Sequence, residues 1–110
     1  MNISTTTQDN AIIINIEGRL DATSADSFIT ACQEVIDQGP QKIIVHLEGL
    51  EYISSAGLRG VLIILKSCRA KSIAIGFCSL QKMVEEVFKI SGFLTMLSIF
   101  DNQDNAINSL

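Results

Sequence analysis

Ser54 and Ser55 are adjacent hydroxyl residues followed by the small residues Ala56 and Gly57 and then by a long apolar run, in the segment Leu50-Glu51-Tyr52-Ile53-Ser54-Ser55-Ala56-Gly57-Leu58-Arg59. A hydroxyl in such a place has two uses. It can cap a helix by accepting from an amide that the first turn leaves without a partner. It can also serve as an acceptor for a phosphoryl group, whose negative charge a helix N-terminus favours. On residue type alone the capping role is the commoner one, and both Ser54 and Ser55 qualify for it. Ala56 and Gly57 add little bulk, so the first turn can either pack closely against the neighbouring strand, the commoner case, or lie open to a partner. Arg59 stands four residues after Ser55 on the same helical face, where it can pair with a phosphate or an acidic partner or simply be solvated.

Other chemistries find little support. The chain has one histidine, His46, which reads as a mid-strand surface residue, and Ser54-Ser55-Ala56-Gly57 is not the G-x-S-x-G elbow of a serine nucleophile. No Walker A or G-x-G-x-x-G loop is present. Cys32, Cys68 and Cys78 are odd in number and lack C-x-x-C spacing, which reads as buried thiols in a reducing compartment rather than a metal or redox centre. A formal charge of −4 without any basic run argues against nucleic acid. The N-terminus lacks the features of a signal peptide, and no apolar run approaches the roughly 20 residues of a membrane helix. A cytoplasmic globular domain, neither an enzyme nor a membrane-inserted protein, is therefore expected. Its 110 residues suit one domain, 1–110, and with 47% hydrophobic but only 5% aromatic residues the core must be filled by Ile, Leu and Val.

Positioning the serines requires a frame, and periodicity supplies one. Residues 3–7 and 12–17 read as strands turning at Asp9-Asn10, with Ile12, Ile14 and Ile16 on one face and Ile13, Asn15 and Glu17 on the other. Gly18-Arg19-Leu20-Asp21 breaks that alternation. Ala25, Phe28, Ile29, Cys32, Val35 and Ile36 then recur at helical spacing until Gly39-Pro40 stops them. Ile43, Val45 and Leu47 alternate with Ile44, His46 and Glu48 in a third strand. The helix behind the serines carries Leu58, Val61, Leu62, Leu65 and Cys68 as its stripe. A fourth strand spans 73–78, and Leu80, Met83, Val84, Val87 and Phe88 predict a third amphipathic helix with Met83 and Phe88 in the core. A last strand over Met96–Phe100 and a weak helix capped by Asp101-Asn102 or Asp104 and ending at Leu110 complete the chain. The expected fold is α/β: a mixed sheet of about five strands, a leading hairpin, later strands parallel, and helices mainly on one face. The polar residues Asn15, Glu17, His46 and Glu48 mark the opposite face as the poorly covered one.

The segment around the serines resembles the signature of STAS (sulfate transporter and anti-sigma-factor antagonist) domains of the anti-sigma-factor antagonist type, in which Asp-Ser-Ser/Thr-Gly-Leu opens a helix. Gly18-Arg19-Leu20-Asp21 resembles the family's upstream Gly-x-Leu-Asp element, and Ser91-Gly92-Phe93 its later Ser-Gly-Leu/Phe. The three elements occur in order, so the resemblance covers nearly the whole chain. Ser54 replaces the motif's Asp and Ala56 its second hydroxyl residue, while Gly57 and Leu58 match directly.

The resemblance implies phosphorylation of Ser55, with Ser54 as the alternative acceptor. It implies a partner surface formed by Asp21, Ser54, Ser55, Ala56, Gly57, Leu58 and Arg59. The implied partner is a serine-kinase anti-sigma factor, bound when the serine is unmodified and released once the partner has phosphorylated it, with a PP2C-type phosphatase as the reset. No cofactor belongs to the chain itself on this reading, since ATP and Mg²⁺ are used by the kinase. The competing reading keeps the fold without phosphorylation, as a scaffold or regulatory subunit of a signalling or lipid-transport complex. Asp21 has its own alternative, as an ordinary cap of the first helix.

Overall fold

Asp9 and Asn10 close the leading hairpin, Asp9 adopting the left-handed conformation (φ 55°) that an Asx residue tolerates. They join β1 (Asn2–Gln8) to β2 (Ala11–Leu20) in the computed structural model, which describes all residues 1–110. Then follow α1 (Ala25–Asp37), β3 (Lys42–Ile53), α2 (Ser55–Ala70), β4 (Ala74–Cys78), α3 (Lys82–Ile90), β5 (Ile99–Phe100) and α4 (Gln103–Ser109). Gly39, at φ 71°, ends α1 where Gly-Pro was expected to stop it. The strand order is β1-β2-β3-β4-β5, with β1 antiparallel and every later pairing parallel. This is the expected five-strand mixed sheet. No helix is long and apolar enough to cross a membrane.

The sheet carries two cores of unequal size. The larger comprises 22 buried residues and lies under α1, α2 and α3, where Ile14, Ile16, Val45 and Phe77 from the sheet meet Phe28, Val61, Val84 and Phe88. The smaller has six, Ala11, Ile13, Ile44 and Cys78 on the sheet beneath Ala106 and Ile107 of α4. The face expected to be poorly covered is thus polar only toward the C-terminal ends of β2 and β3. Asn15, Glu17, His46 and Glu48 line an open hollow there, while α4 covers Ala11, Ile13, Ile44 and Cys78. All three cysteines are free and buried, and burial pushes the Cys32 and Cys68 thiols up to about 12 and about 11.

Four expectations need correction. β3 continues five residues beyond Glu48, the last residue of the expected strand, because β2 also continues and pairs with it as Gly18↔Leu50, Arg19↔Tyr52 and Leu20↔Ile53. Register shifts after Asn15 and Gly18 put the alternation out of phase, which is why periodicity lost the strand. The last strand shrinks to Ile99–Phe100, preceded by a 3-10 turn at Phe93–Thr95. Met83 is 61% exposed rather than in the core, because α3 aims Val84 and Phe88 inward and the residue before Val84 is rotated away by the helical pitch. The buried stripe of α2 runs through Gly57, Gly60, Val61, Ile64, Leu65 and Cys68, leaving Leu58 and Leu62 half-buried at its flank.

Candidate functional site

The serines occupy the junction where β3 ends and α2 begins, beside the end of β2. Ser54 donates its backbone N–H to the Leu20 carbonyl at 2.9 Å, extending the β2–β3 pairing by one bond, and then turns the chain as the N-cap of α2. Its hydroxyl accepts from the Gly57 amide at 3.3 Å. Ser54 is half-buried and committed to capping, whereas Ser55, the first residue of α2, is exposed and its hydroxyl makes no intrachain hydrogen bond. Of the two serines, Ser54 is therefore the one that caps α2.

Of the two uses open to a small residue here, Gly57 serves close packing against the strands. It is buried, and a Cβ there would lie 2.6 Å from the Leu20 carbonyl oxygen and 2.8 Å from Ile53 Cγ1. Its small size lets α2 sit against the end of β2; it leaves no gap for a partner. Leu58 packs half-buried against the larger core. Of the proposed partner surface, Ser55 and Arg59 are exposed, Asp21, Ser54, Ala56 and Leu58 are half-buried, and Gly57 is buried. Ala56 and Arg59 face Ala25, Asp26 and Ile29 across a shallow groove of about 320 Å³ between α1 and α2. Arg59 forms no ion pair, whereas Arg19 pairs with Asp21 and Lys71 with Asp37.

Asp21 organises the neighbouring loop. Its Oδ1 accepts from the Thr23 hydroxyl at 2.7 Å and the Thr23 amide at 3.0 Å, and these bonds hold its carboxyl below the ordinary aspartate range. The side chain therefore does not cap α1. Ser24 holds the N-cap position and turns its hydroxyl back to donate to the Arg19 carbonyl at 2.8 Å. That hydroxyl also accepts from the Asp21 amide at 3.0 Å. The loop 19–24 is thus cross-braced next to the serine junction.

His46 is more than a surface strand residue. It is half-buried, its Nδ1 donating to Gln103 Oε1 at 2.9 Å, and Gln103 in turn donates to Gln8 Oε1 at 2.7 Å. This links the start of α4 to β3 and β1 and leaves the histidine engaged with α4 rather than with the serines. Arg19 has no role on residue type, and Tyr52, placed just before the motif, can either anchor the turn or line a partner surface. They are register partners, and the Arg19 guanidinium stacks 4.1 Å from the Tyr52 ring centroid. Their positions just before Leu20-Asp21 and Ile53-Ser54 were the available signal.

The family model for the STAS domain matches residues 2–106. BtrV of Bordetella bronchiseptica, provisionally named an anti-sigma factor antagonist, is 33% identical over 98 residues, which span 89% of this chain and 84% of that protein. Among solved structures, an anti-sigma factor antagonist from Mycobacterium paratuberculosis superposes with a TM-score of 0.90 at 16% identity, over 98% of this chain and 92% of that one. The phosphorylated form of the Bacillus cell fate determinant SpoIIAA gives 0.71 at 20% identity, over 97% of each chain. At such identities the structures establish the shared fold, and the family match and BtrV establish kinship. The chain belongs to the STAS domain family, among its anti-sigma factor antagonists, which are regulators and not enzymes.

Proposed function

We propose that the protein binds a serine-kinase anti-sigma factor while Ser55 is unmodified and is released when that kinase phosphorylates Ser55. The observation that carries this reading is the division of labour at the junction: Ser54 caps α2, and Ser55 stands exposed with its hydroxyl uncommitted. Phosphate on Ser55 adds about −1.5 to −2 charges beside the first-turn amides and the positive end of the helix, so the free domain tolerates it. A partner packed over Ser55 would have to bury the same charge, at roughly 2–5 kcal/mol when it is left unpaired. At about 1.4 kcal/mol per tenfold, affinity falls between tens and thousands of times. The interface penalty outweighs the local tolerance. ATP and Mg²⁺ enter with the kinase, and a PP2C-type phosphatase restores the unmodified state.

Incubation with candidate kinases and ATP, followed by intact mass and phosphopeptide mapping, tests the acceptor. One phosphate on Ser55 is expected, lost in Ser55→Ala and retained in Ser54→Ala. Ser55→Ala should bind the kinase and Ser55→Asp should not; equal affinities would refute the switch. The replacement of the motif's Asp and second hydroxyl by Ser54 and Ala56 favours the second reading, a scaffold or regulatory subunit that is never phosphorylated. Transfer of phosphate excludes it.

A further inference from the structure

The Arg19–Tyr52 stack is anchored close to Ser55 on a part of the sheet that the fold leaves uncovered. Leu20 and Ile53 enter the larger core, so Arg19 and Tyr52, each one residue earlier on a strand, project from the opposite face. Along that face α4 covers Ala11, Ile13, Ile44 and Cys78, nearer the other ends of β2, β3 and β4. The Arg19 side chain is 60% exposed and Tyr52 is half-buried.

Three features distinguish this arginine from an ordinary solvated one. Its plane is fixed by stacking 4.1 Å over the Tyr52 ring. Its backbone is fixed by the Ser24 hydroxyl bond to the Arg19 carbonyl, 2.8 Å, and by ladder pairing with Tyr52. Its fork of N–H donors makes no hydrogen bond within the chain: the one acid within 4.0 Å is Asp21, whose Oδ2 lies 3.9 Å from Nε while Oδ1 is taken by Thr23. A guanidinium oriented by an aromatic face, with its paired donors unused, is preset for a carboxylate, which it binds bidentately.

Resting on the function proposed above, we propose that Arg19 and Tyr52 form a receptor for an Asp or Glu side chain of the kinase partner. Reach supports the assignment. Tyr52 precedes Ser55 by three residues, a span of at most about 10 Å in extended chain. An interface of standard size covers about 800 Å² per side, a disc of roughly 16 Å radius, so a partner seated over Ser55 reaches the stack as well. Arg and Tyr are also the residue types that carry most binding energy at such surfaces. Arg59 has neither a stacking partner nor an ion pair to orient its fork.

The test uses the full chain and the kinase that phosphorylates Ser55, with binding measured by titration calorimetry in the absence of nucleotide so that ATP phosphates contribute nothing. Arg19→Glu and Arg19→Gln should weaken binding by about tenfold or more, and Tyr52→Ala by a similar factor, while Tyr52→Phe, which keeps the ring, stays within about twofold of wild type. In the phosphorylation assay the Arg19 variants should raise KM with kcat unchanged, because the receptor holds the partner and does not touch the transferred group. Thermal midpoints close to wild type separate this from a structural role. Arg19→Gln binding as tightly as wild type would overturn the receptor while leaving the Ser55 switch intact. A wild-type protein that binds no serine-kinase anti-sigma factor would overturn both.

Discussion

Replacing Gly57 by alanine would place a methyl carbon 2.6 Å from the Leu20 carbonyl oxygen, 2.8 Å from Ile53 Cγ1 and 2.9 Å from Leu20 Cγ. These distances fall well inside the optimum of about 3.5–4.0 Å for carbon contacts. The carbonyl cannot simply retreat, because it accepts the Ser54 amide at 2.9 Å, the bond that ties the start of α2 to β2. Overpacking of this kind costs about 1–3 kcal/mol, and with a backbone atom among the obstacles the upper figure applies. Alanine returns about 1 kcal/mol of helix propensity, leaving a net loss of about 2 kcal/mol. For a domain of this size that lowers the thermal midpoint by about 8 °C. Gly60, one turn later in the same helix, is the internal control. A Cβ there would lie 3.4 Å from Phe28 Cδ2 and 3.5 Å from Ile29 Cγ1, ordinary contact, so Gly60→Ala keeps the propensity gain and should raise the midpoint by about 4 °C. The assay is thermal unfolding by circular dichroism, with the rate of Ser55 phosphorylation as a second readout, expected to slow in Gly57→Ala because the helix start is displaced. A Gly57→Ala protein as stable as wild type, or two glycines that respond alike, would refute the argument that close approach to Leu20 fixes where Ser55 stands.

Two further perturbations separate the hydroxyls and the loop. Ser54→Ala removes the cap bond to the Gly57 amide and should cost about 1 kcal/mol in denaturant unfolding, whereas Ser55→Ala, whose hydroxyl makes no intrachain bond, should change stability by less than about 0.5 kcal/mol; the reverse order would show that the cap is misassigned. Asp21 has its carboxyl lowered from the ordinary 3.8, chiefly by the Thr23 hydroxyl. A group whose folded value is depressed adds stability above its unfolded value and loses it as the pH falls through the folded one. Thr23→Ala should therefore lower stability near pH 7 and converge on wild type in acid below the ordinary aspartate range. In carboxyl-detected NMR the Asp21 midpoint should rise in the variant, and an unmoved midpoint would contradict the Thr23 bond.

The hairpin at Asp9-Asn10, α1 with its Gly39-Pro40 stop, and the apolar faces of β2, β3 and β4 were legible in the residues because each rests on local chemistry. Alternating isoleucines, helical spacing and turn residues act over a few positions and need no distant partner. Where the sequence reading failed, the deciding contact was remote. β3 runs on to Ile53 because β2 runs on beside it, and the register shifts that allow both strands to continue erase the alternation by which a strand is recognised. Met83 left the core because packing of Val84 and Phe88 set the rotation of a nine-residue helix, too short for its pattern to decide alone.

At the functional junction the same boundary applies. Residue type alone placed two hydroxyls at the start of a helix and, through the motifs around Asp21, Ser55 and Gly92, pointed to the family. It could not say which hydroxyl caps α2, because either serine has the right chemistry. That was settled by the Leu20 carbonyl, 34 residues away in sequence, which takes the Ser54 amide and so fixes Ser54 at the N-cap and Ser55 outside it. Nor could it show that Gly57 is small to admit Leu20 rather than a partner, or that Arg19 lies over Tyr52, since both depend on two strands ending side by side. Local pattern determined which residues are present at the site, and the tertiary pairing of β2 with β3 decided which of them remain free to act.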